Sequence, residues 1–219
     1  SNNEILIVIK IRLKTYLEVY MGDKKKLIDI ASIQSGLSAA NQREMSEAKP
    51  GFVEVVCLTG NNLSENGLVK LKGSELKKVY VEQSRLEGHI LQDQDILLMA
   101  RGTNFRAALL KEYHLNIPSI ASPNVFVIRC GEKILAEVLV SFINSGHGQA
   151  LMDEIAIGST VRSLSIAGLK NLEISIPEIG HQKLITSIFY ANIEALTLLD
   201  KLKVQQLIAV EASLQQLMV

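Results

Sequence analysis

The sequence contains no tryptophan, and aromatic residues make up only 5% of its 219 positions. A platform of stacked aromatic side chains, which many single-strand nucleic-acid binders use, is therefore not expected. Neither sign of charge is in excess, because 23 lysine and arginine residues balance 23 aspartate and glutamate residues. A nucleic-acid binder usually carries a basic excess, so any anion-binding surface on this chain must be a local cluster of cations.

Cysteine is scarce as well, since only Cys57 and Cys130 are present and each follows a β-rich run. Two buried, unpaired thiols in a reducing compartment are expected, rather than a disulfide framework. The apolar run near the start, Ile5–Ile11, is short and contains Lys10. It fits neither a membrane span nor a signal peptide, so we expect a cytoplasmic protein with no membrane segment.

Sequence patterns typical of enzymes are also missing. The segment Gly146-His147-Gly148 lacks the third glycine of a dinucleotide-binding loop, and no strand leads into it. The histidines have neither metal-ligand spacing nor a cysteine partner: they are His89, His114, His147 and His181. No cluster of carboxylates and lysine follows a predicted strand, as it would in a nuclease. We therefore expect a non-catalytic protein with no metal site and no cofactor.

A long amphipathic helix is predicted over residues 180–219. From His181 onward there is no glycine or proline, and apolar residues recur every three or four positions. A helix of about 37 residues would span ~55 Å, more than a domain of this size needs for its own core. Lys203 interrupts its apolar stripe, which contains Leu196, Leu199, Leu207, Val210, Leu214 and Leu217. The stripe needs a partner, either a second chain or another helix of the same chain.

Ahead of this helix, short apolar runs alternate with turn-forming clusters. Strands are predicted at Phe52–Leu58, Ile96–Met99, Val125–Ile128 and in the period-2 stretch Leu172–Pro177. Apolar positions at helical spacing predict helices over 135–145 and 148–155. Asn66-Gly67 is a strong tight-turn signal. The mixture predicts an α+β domain.

An ordered set of motifs joins this domain to the long helix. In chain order the set is Gly148-Gln149, Gly158-Ser159-Thr160, Leu164-Ser165, Leu169, Leu172, Ile174, Ile176-Pro177, Gln182 and Ile185. It resembles the end of one half of the DNA specificity subunit of type I restriction–modification systems, and the resemblance extends over about residues 26–200. The chain departs from the family pattern in two places. Glu178 and His181 replace a second proline and an acidic residue, and Gln94 replaces a glycine, so the turn at Gln94 is not expected to need a positive φ.

The resemblance implies a target-recognition domain with a curved mixed sheet over residues 22–179, followed by a coiled-coil-type helix over 180–219. Residues 1–21 are expected to form an N-terminal helix or extension. Full specificity subunits contain two such halves, and no internal repeat is visible, so we expect a half-subunit or an excised fragment. By this resemblance the chain selects a double-stranded DNA sequence for partner methyltransferase subunits and, in larger assemblies, for a restriction subunit. The apolar stripe predicts a homodimer formed through the long helix.

The expected DNA-binding residues lie in three polar segments. The clearest of these is the loop that runs from Arg101 to Arg106, because an arginine can pair bidentately with guanine and an asparagine with adenine. Hydroxyl groups and cations of the other two segments suit phosphate contact. The candidates are Arg101, Thr103, Asn104, Arg106, Lys70, Lys72, Ser159, Thr160 and Arg162.

Two alternatives stay open at this point. Each polar segment is also compatible with an ordinary solvated turn. The balanced net charge is compatible with a protein–protein scaffold whose helix docks partners and whose globular part binds no DNA. DNA binding whose affinity falls steeply as the salt concentration rises would distinguish a DNA-binding protein from such a scaffold.

Overall fold

A computed structural model describes residues 23–44, 49–71, 76–111, 118–159 and 161–217, with side chains as far as residue 215. The predicted helix or extension over 1–21 lies outside the described residues, as do Lys72, Thr160 and the side chain of Leu217.

Ten strands and four helices make up the described part of the chain. The strands are β1 (Asp23–Lys26), β2 (Ala31–Ser35), β3 (Gln42–Arg43), β4 (Phe52–Leu58), β5 (Lys77–Glu82), β6 (Ile96–Met99), β7 (Ala107–Leu109), β8 (Ser119–Ala121), β9 (Val125–Cys130) and β10 (Glu173–Ile176). The helices are α1 (Ala136–Asn144), α2 (Gly146–Ile155), α3 (Ile166–Asn171) and α4 (Ile179–Leu217). Short 3-10 turns occur at Leu27–Asp29, Ala39–Asn41, Gly60–Asn62 and Gln83–Arg85. The predicted α+β class and the long C-terminal helix are confirmed.

The strands form three sheets. One sheet is antiparallel in the order β2-β9-β6-β7, and a second has the order β3-β5-β4-β8 with a parallel β4-β8 pair. The third is the antiparallel pair β1-β10. Between β8 and β9 the chain turns at Ser122, whose N–H bonds Leu58 of one sheet while its C=O accepts from Val125 of the other. Pro123 follows Ser122 and cannot donate to a ladder, so the chain changes sheet there.

Every residue of strand β6 is apolar because both faces of the strand are covered by the protein. Ile96 and Leu98 pack toward helices α1–α3 in the larger core, while Leu97 points into a second core shared with Leu58 of the neighbouring sheet. Successive strand residues face opposite sides, so a strand covered on both sides has no polar alternation. This explains why the sequence predicts the bounds of β6 correctly.

Two local expectations have different outcomes. Both cysteines are unpaired as expected; Cys57 is buried, and Cys130 is partly buried. Burial raises the pKa of the Cys57 thiol to about 11 and that of Cys130 to about 12. The expectation for Gln94 is wrong, because its φ is 68°. The backbone there keeps the left-handed turn that the family glycine would adopt without strain.

Helix α4 divides into an anchored part and a projecting part. Its anchor is Gln182, 3% exposed, whose Oε1 accepts a hydrogen bond from the Leu135 N–H at 2.9 Å. The Gln182 Nε2 donates to the carbonyls of Lys133 at 3.0 Å and Pro177 at 2.9 Å. Four turns pack on the domain, and every residue from Glu194 through position 215 is exposed. The helix has 39 residues, so at 1.5 Å per residue it extends about 58 Å.

Candidate nucleic-acid interface

The loop between β6 and β7, residues 101–106, combines exposed polar side chains with a buried anchor. Arg101, Thr103 and Asn104 are exposed, whereas Phe105 is fully buried in the larger core. Gly102 has φ +139°, a backbone conformation that L side chains rarely adopt. The buried ring and the glycine turn together fix where the three exposed side chains emerge.

Arg106 is already engaged within the protein. Its Nη1 donates to the Leu63 carbonyl at 3.2 Å, and its Nη2 donates to Oε1 of Glu65 at 3.2 Å. These bonds tie the end of the loop to the segment that follows β4. They also neutralise part of the positive charge that Arg106 brings to the surface.

A cleft of about 1010 Å³ lies beside this loop. Its walls come from the segment between Gly60 and Lys70, from the loop at Gly102–Arg106, and from the first projecting turns of α4. Polar side chains that line it are Asn61, Ser64, Asn66, Lys70, Thr103, Asn104 and Arg106, with the acids Glu65 and Asp200. Four of the predicted DNA-binding residues therefore share one cleft: Lys70, Thr103, Asn104 and Arg106. Asn61 and Asn66 were not predicted, because nothing in the sequence distinguishes them from ordinary turn residues.

A second loop packs directly against the first. Ile157 and Ser163 form an antiparallel bridge that closes a tight turn, in which Gly158 has φ +109°. The Gly102 N–H donates to the Arg162 carbonyl at 3.0 Å, which joins the two loops through their backbones. The surface beside the cleft is therefore built from two connected loops.

The predicted phosphate-contacting residues of this second loop differ in their surroundings. Ser159 is exposed. Arg162 forms an ion pair with Asp153 at 2.8 Å, and its guanidinium lies 5.8 Å from the centroid of the Phe105 ring. Arg162 therefore helps to hold helix α2 against the loops, in addition to any contact with a ligand.

Comparison with known proteins decides the family. The family model for the type I restriction modification DNA specificity domain matches residues 22–208. The chain belongs to this family. The match confirms the resemblance found in the sequence and the expectation that the chain is a specificity domain rather than an enzyme.

Solved structures of specificity subunits are similar to this chain at low sequence identity. The S subunit of the type I restriction-modification system from M. genitalium is 14% identical, with a TM-score of 0.46 over 82% of this chain and 42% of that one. The HsdS subunit from Thermoanaerobacter tengcongensis is 10% identical, with a TM-score of 0.45 over 82% of this chain and 39% of that one. A third structure, described as the structural basis of complex assembly and conformational transition of the type I R-M system, is 10% identical to this chain. Its TM-score is 0.45, over 82% of this chain and 43% of that one. This chain thus spans about two fifths of each of these structures, and no curated protein sequence matches it.

The structure explains two motifs of the specificity-domain family. In Gly148-Gln149, a Cβ on the glycine would lie 2.0 Å from the Phe142 carbonyl oxygen, so only glycine fits at that position. The glutamine bonds the backbone of Phe105 and so supports the loop. Gln182, from the end of the motif set, anchors the long helix as described above.

Of the specificity domain's predicted contact residues, Arg101 and Ser159 lie on the two-loop surface beside the cleft, and Lys72 and Thr160 lie outside the described residues. Within the described ranges, no group of three His, Cys, Asp or Glu side chains could hold a metal ion. Among those same residues, no helix has both the length and the apolar character needed to cross a membrane.

Proposed function

We propose that this chain selects the double-stranded DNA sequence on which a type I restriction–modification system acts. The observation that carries the proposal is the group of exposed side chains beside the cleft, those of Arg101, Thr103 and Asn104, in a chain that belongs to the DNA specificity family. Sequence readout needs such donors and acceptors at base edges, supported by cations at phosphates.

Arg101 and Asn104 are the side chains best placed to contact bases. Both are exposed, and neither side chain forms a hydrogen bond or ion pair with another residue in the described part of the chain. A guanidinium can donate two parallel bonds to guanine O6 and N7, and a carboxamide can pair in the same way with adenine. Thr103 lies between them and adds a hydroxyl group that can donate or accept.

Phosphate contacts fall to residues around these two. Lys70 is exposed on the cleft wall, and Ser159 is exposed on the adjoining loop. Arg162 is paired with Asp153, so a phosphate that binds there would share the guanidinium group with that carboxylate. Lys70, Ser159 and Arg162 form a local basic and hydroxyl-bearing border in a chain of zero net charge, and Lys72 and Thr160 stay predicted phosphate contacts from the sequence alone.

Methylation and cleavage belong to partner subunits under this proposal, and the chain works with them in the cytoplasm without a cofactor of its own. The projecting part of α4 offers them a surface wider than the stripe seen in the sequence. Leu198, Leu202, Val204 and Ile208 are exposed in addition to the predicted positions. Exposed apolar surface on this scale marks an interaction site. A single partner helix cannot cover both the predicted stripe and these four additional positions.

The predicted stripe is assigned to a second copy of the chain. Leu196 is 36% exposed, and Leu199, Leu207, Val210 and Leu214 are between 51% and 62% exposed. An antiparallel pair of these helices would bury the stripe and place two recognition domains at opposite ends, related by a two-fold axis. Two inverted half-sites separated by a fixed gap would then be read, and Lys203 near the middle of the stripe would help to fix the register.

A salt titration on a random-sequence duplex tests DNA binding against the scaffold alternative. Binding through phosphate neutralisation must weaken linearly on a log–log plot, with a slope of about −0.9 per phosphate contact. A protein–protein scaffold without a DNA site would give no saturable binding at low salt. The family match does not favour the scaffold.

A further inference from the structure

The loop that carries Arg101–Arg106 is held from behind by two side-chain amides. Gln149 of α2 accepts a hydrogen bond at Oε1 from the Phe105 N–H at 3.1 Å, and its Nε2 donates to the Phe105 carbonyl at 3.1 Å. The same Nε2 donates to the Ile143 carbonyl at 2.7 Å. Both Nε2 hydrogens and one acceptor position of Oε1 are therefore engaged with the protein backbone.

Asn144 at the end of α1 repeats the arrangement two residues further along the loop. Its Oδ1 accepts from the Ala107 N–H at 2.9 Å, and its Nδ2 donates to the Ala107 carbonyl at 2.9 Å. Each amide thus closes a two-bond ring with one residue's N–H and C=O, as a neighbouring strand would in a ladder.

These rings occupy the outer edge of the extended segment that becomes β7. On the inner edge, the Arg106 carbonyl accepts from the Met99 N–H of β6 at 2.9 Å. On the outer edge, Leu109 bonds the backbone of Gly67 and Val69. The backbone N–H and C=O groups of Phe105 and Ala107 face that same outer edge, but the segment at Gly67 and Val69 does not extend to them. Buried backbone groups without partners are costly, and here side chains replace the missing strand.

The consequence is a fixed direction for Arg106 and for the polar residues before it. Phe105 and Ala107 are fully buried, so the residue between them must project to the opposite face, toward the cleft. If the hydrogen bonds from Gln149 and Asn144 were broken, the backbone groups of Phe105 and Ala107, on either side of Arg106, would lose their partners on the outer edge.

We infer that Gln149 and Asn144 are positioning residues for sequence discrimination: they hold the 101–106 loop in the one geometry from which its side chains can pair with bases. The inference rests on the proposed function. Neither amide touches DNA under this inference, so removing one lowers the preference for the target over other sequences. Affinity for random DNA depends on the surface cations and changes little.

The sharpest variant is Gln149→Glu, which keeps the shape of the side chain and the acceptor for the Phe105 N–H. It loses the Nε2 donor and places a carboxylate oxygen against two carbonyl oxygens. Gln149→Met removes both functions, and Asn144→Asp is the matching change at the second amide. Gln83→Glu is the matched control, because Gln83 is an exposed amide in the turn after β5. Val79→Ala controls for stability, because Val79 is 1% exposed in a separate core cluster.

Two measurements on the 219-residue chain decide the inference. The first is amide hydrogen exchange at Phe105 and Ala107, which we expect to be unchanged in Gln83→Glu and to be faster in the amide variants than in Val79→Ala at a matched loss of global stability. The second is binding to the duplex that the parent chain enriches from a randomised pool, compared with a scrambled duplex. The expected loss of preference is about five- to 150-fold, the range of one base-reading pair, with scrambled-duplex affinity within about threefold of the parent.

The outcomes separate this inference from the proposed function. Faster exchange with an unchanged preference would show a purely structural role for the amides and overturn the inference. An equal loss of preference in Val79→Ala would do the same, since stability alone would then explain it. A parent chain that enriches no sequence would contradict the proposed function itself, whatever the exchange data show.

Discussion

Arg106 donates from its Nη2 to Oε1 of Glu65 at 3.2 Å, so one cation of the cleft is paired before any ligand arrives. Glu65 is 87% exposed at its side chain and makes this contact from the opposite wall of the cleft. Surface pairs of this kind contribute little to stability. The acid therefore acts mainly by lowering the positive potential at a surface proposed to meet phosphates.

Replacing that acid should strengthen DNA binding. Glu65→Gln removes a negative charge and releases Arg106, so we expect affinity for random duplex DNA to rise about two- to fivefold at low salt. The gain should disappear as the salt concentration rises. Glu87→Gln is the control, because Glu87 is an exposed acid in the turn after β5. Weaker binding by Glu65→Gln would show that the cleft does not face DNA.

Arg101 and Arg106 should respond differently to truncation. Arg101→Ala should cost about 1–3 kcal/mol of preference for the selected duplex, because this exposed guanidinium is free to pair with a base. Arg106→Ala should in addition lower the free energy of unfolding, since it leaves the Leu63 carbonyl without its partner. Competition binding and urea unfolding separate the two effects, with Arg85→Ala as an exposed control. If both variants bind the selected duplex as the parent does, the loop is not the contact surface.

Gln182→Leu should be among the most destabilising single changes outside the apolar core. It removes both functions of an amide that bonds Leu135, Lys133 and Pro177, and it leaves one N–H and two C=O groups without this partner. The expected loss is about 2–4 kcal/mol in urea unfolding. Gln205→Leu, at an exposed position of the same helix, should stay within about 0.5 kcal/mol of the parent. Similar values for both variants would mean that Gln182 is not the anchor.

The projecting helix should set the oligomeric state. A truncation ending at Ala195 keeps Gln182, Phe189 and the rest of the packed turns, so the domain should fold while the stripe is lost. In sedimentation we expect the intact chain to be dimeric at tens of micromolar and the truncated chain to be monomeric. Leu207→Glu should also dissociate the pair, whereas Gln205→Glu should not. A monomeric intact chain would refute the pairing, and a dimeric truncation would move the interface to the domain.

The sequence predicts some elements of this fold well because their signals are local. Phe52–Leu58 and Ile96–Met99 are strands at the predicted bounds. Burial on both faces leaves Ile96–Met99 as an unbroken apolar run, whereas Glu54 interrupts the apolar run of Phe52–Leu58. Gln94 shows the limit of such reasoning: its φ of 68° follows from the turn that surrounds it and not from its own side chain.

The candidate site is less accessible to sequence reasoning because its contacts are long-range. The loop at Arg101–Arg106 is recognisable as exposed and polar, but the bond between Phe105 and Gln149 joins residues 44 positions apart. The pairing of Arg106 with Glu65 spans 41 positions and converts a predicted contact residue into a partly neutralised one. Only the fold brings Lys70 and helix α4 to the same cleft.

Selection from a randomised duplex pool tests the central claim most directly. The intact chain is incubated with the pool at moderate salt, bound duplexes are recovered over several rounds, and their sequences are compared with the input. The account predicts one enriched motif made of two inverted halves at a fixed spacing, and a loss of information at specific positions with Arg101→Ala. Recovery of sequences indistinguishable from the input pool would contradict it.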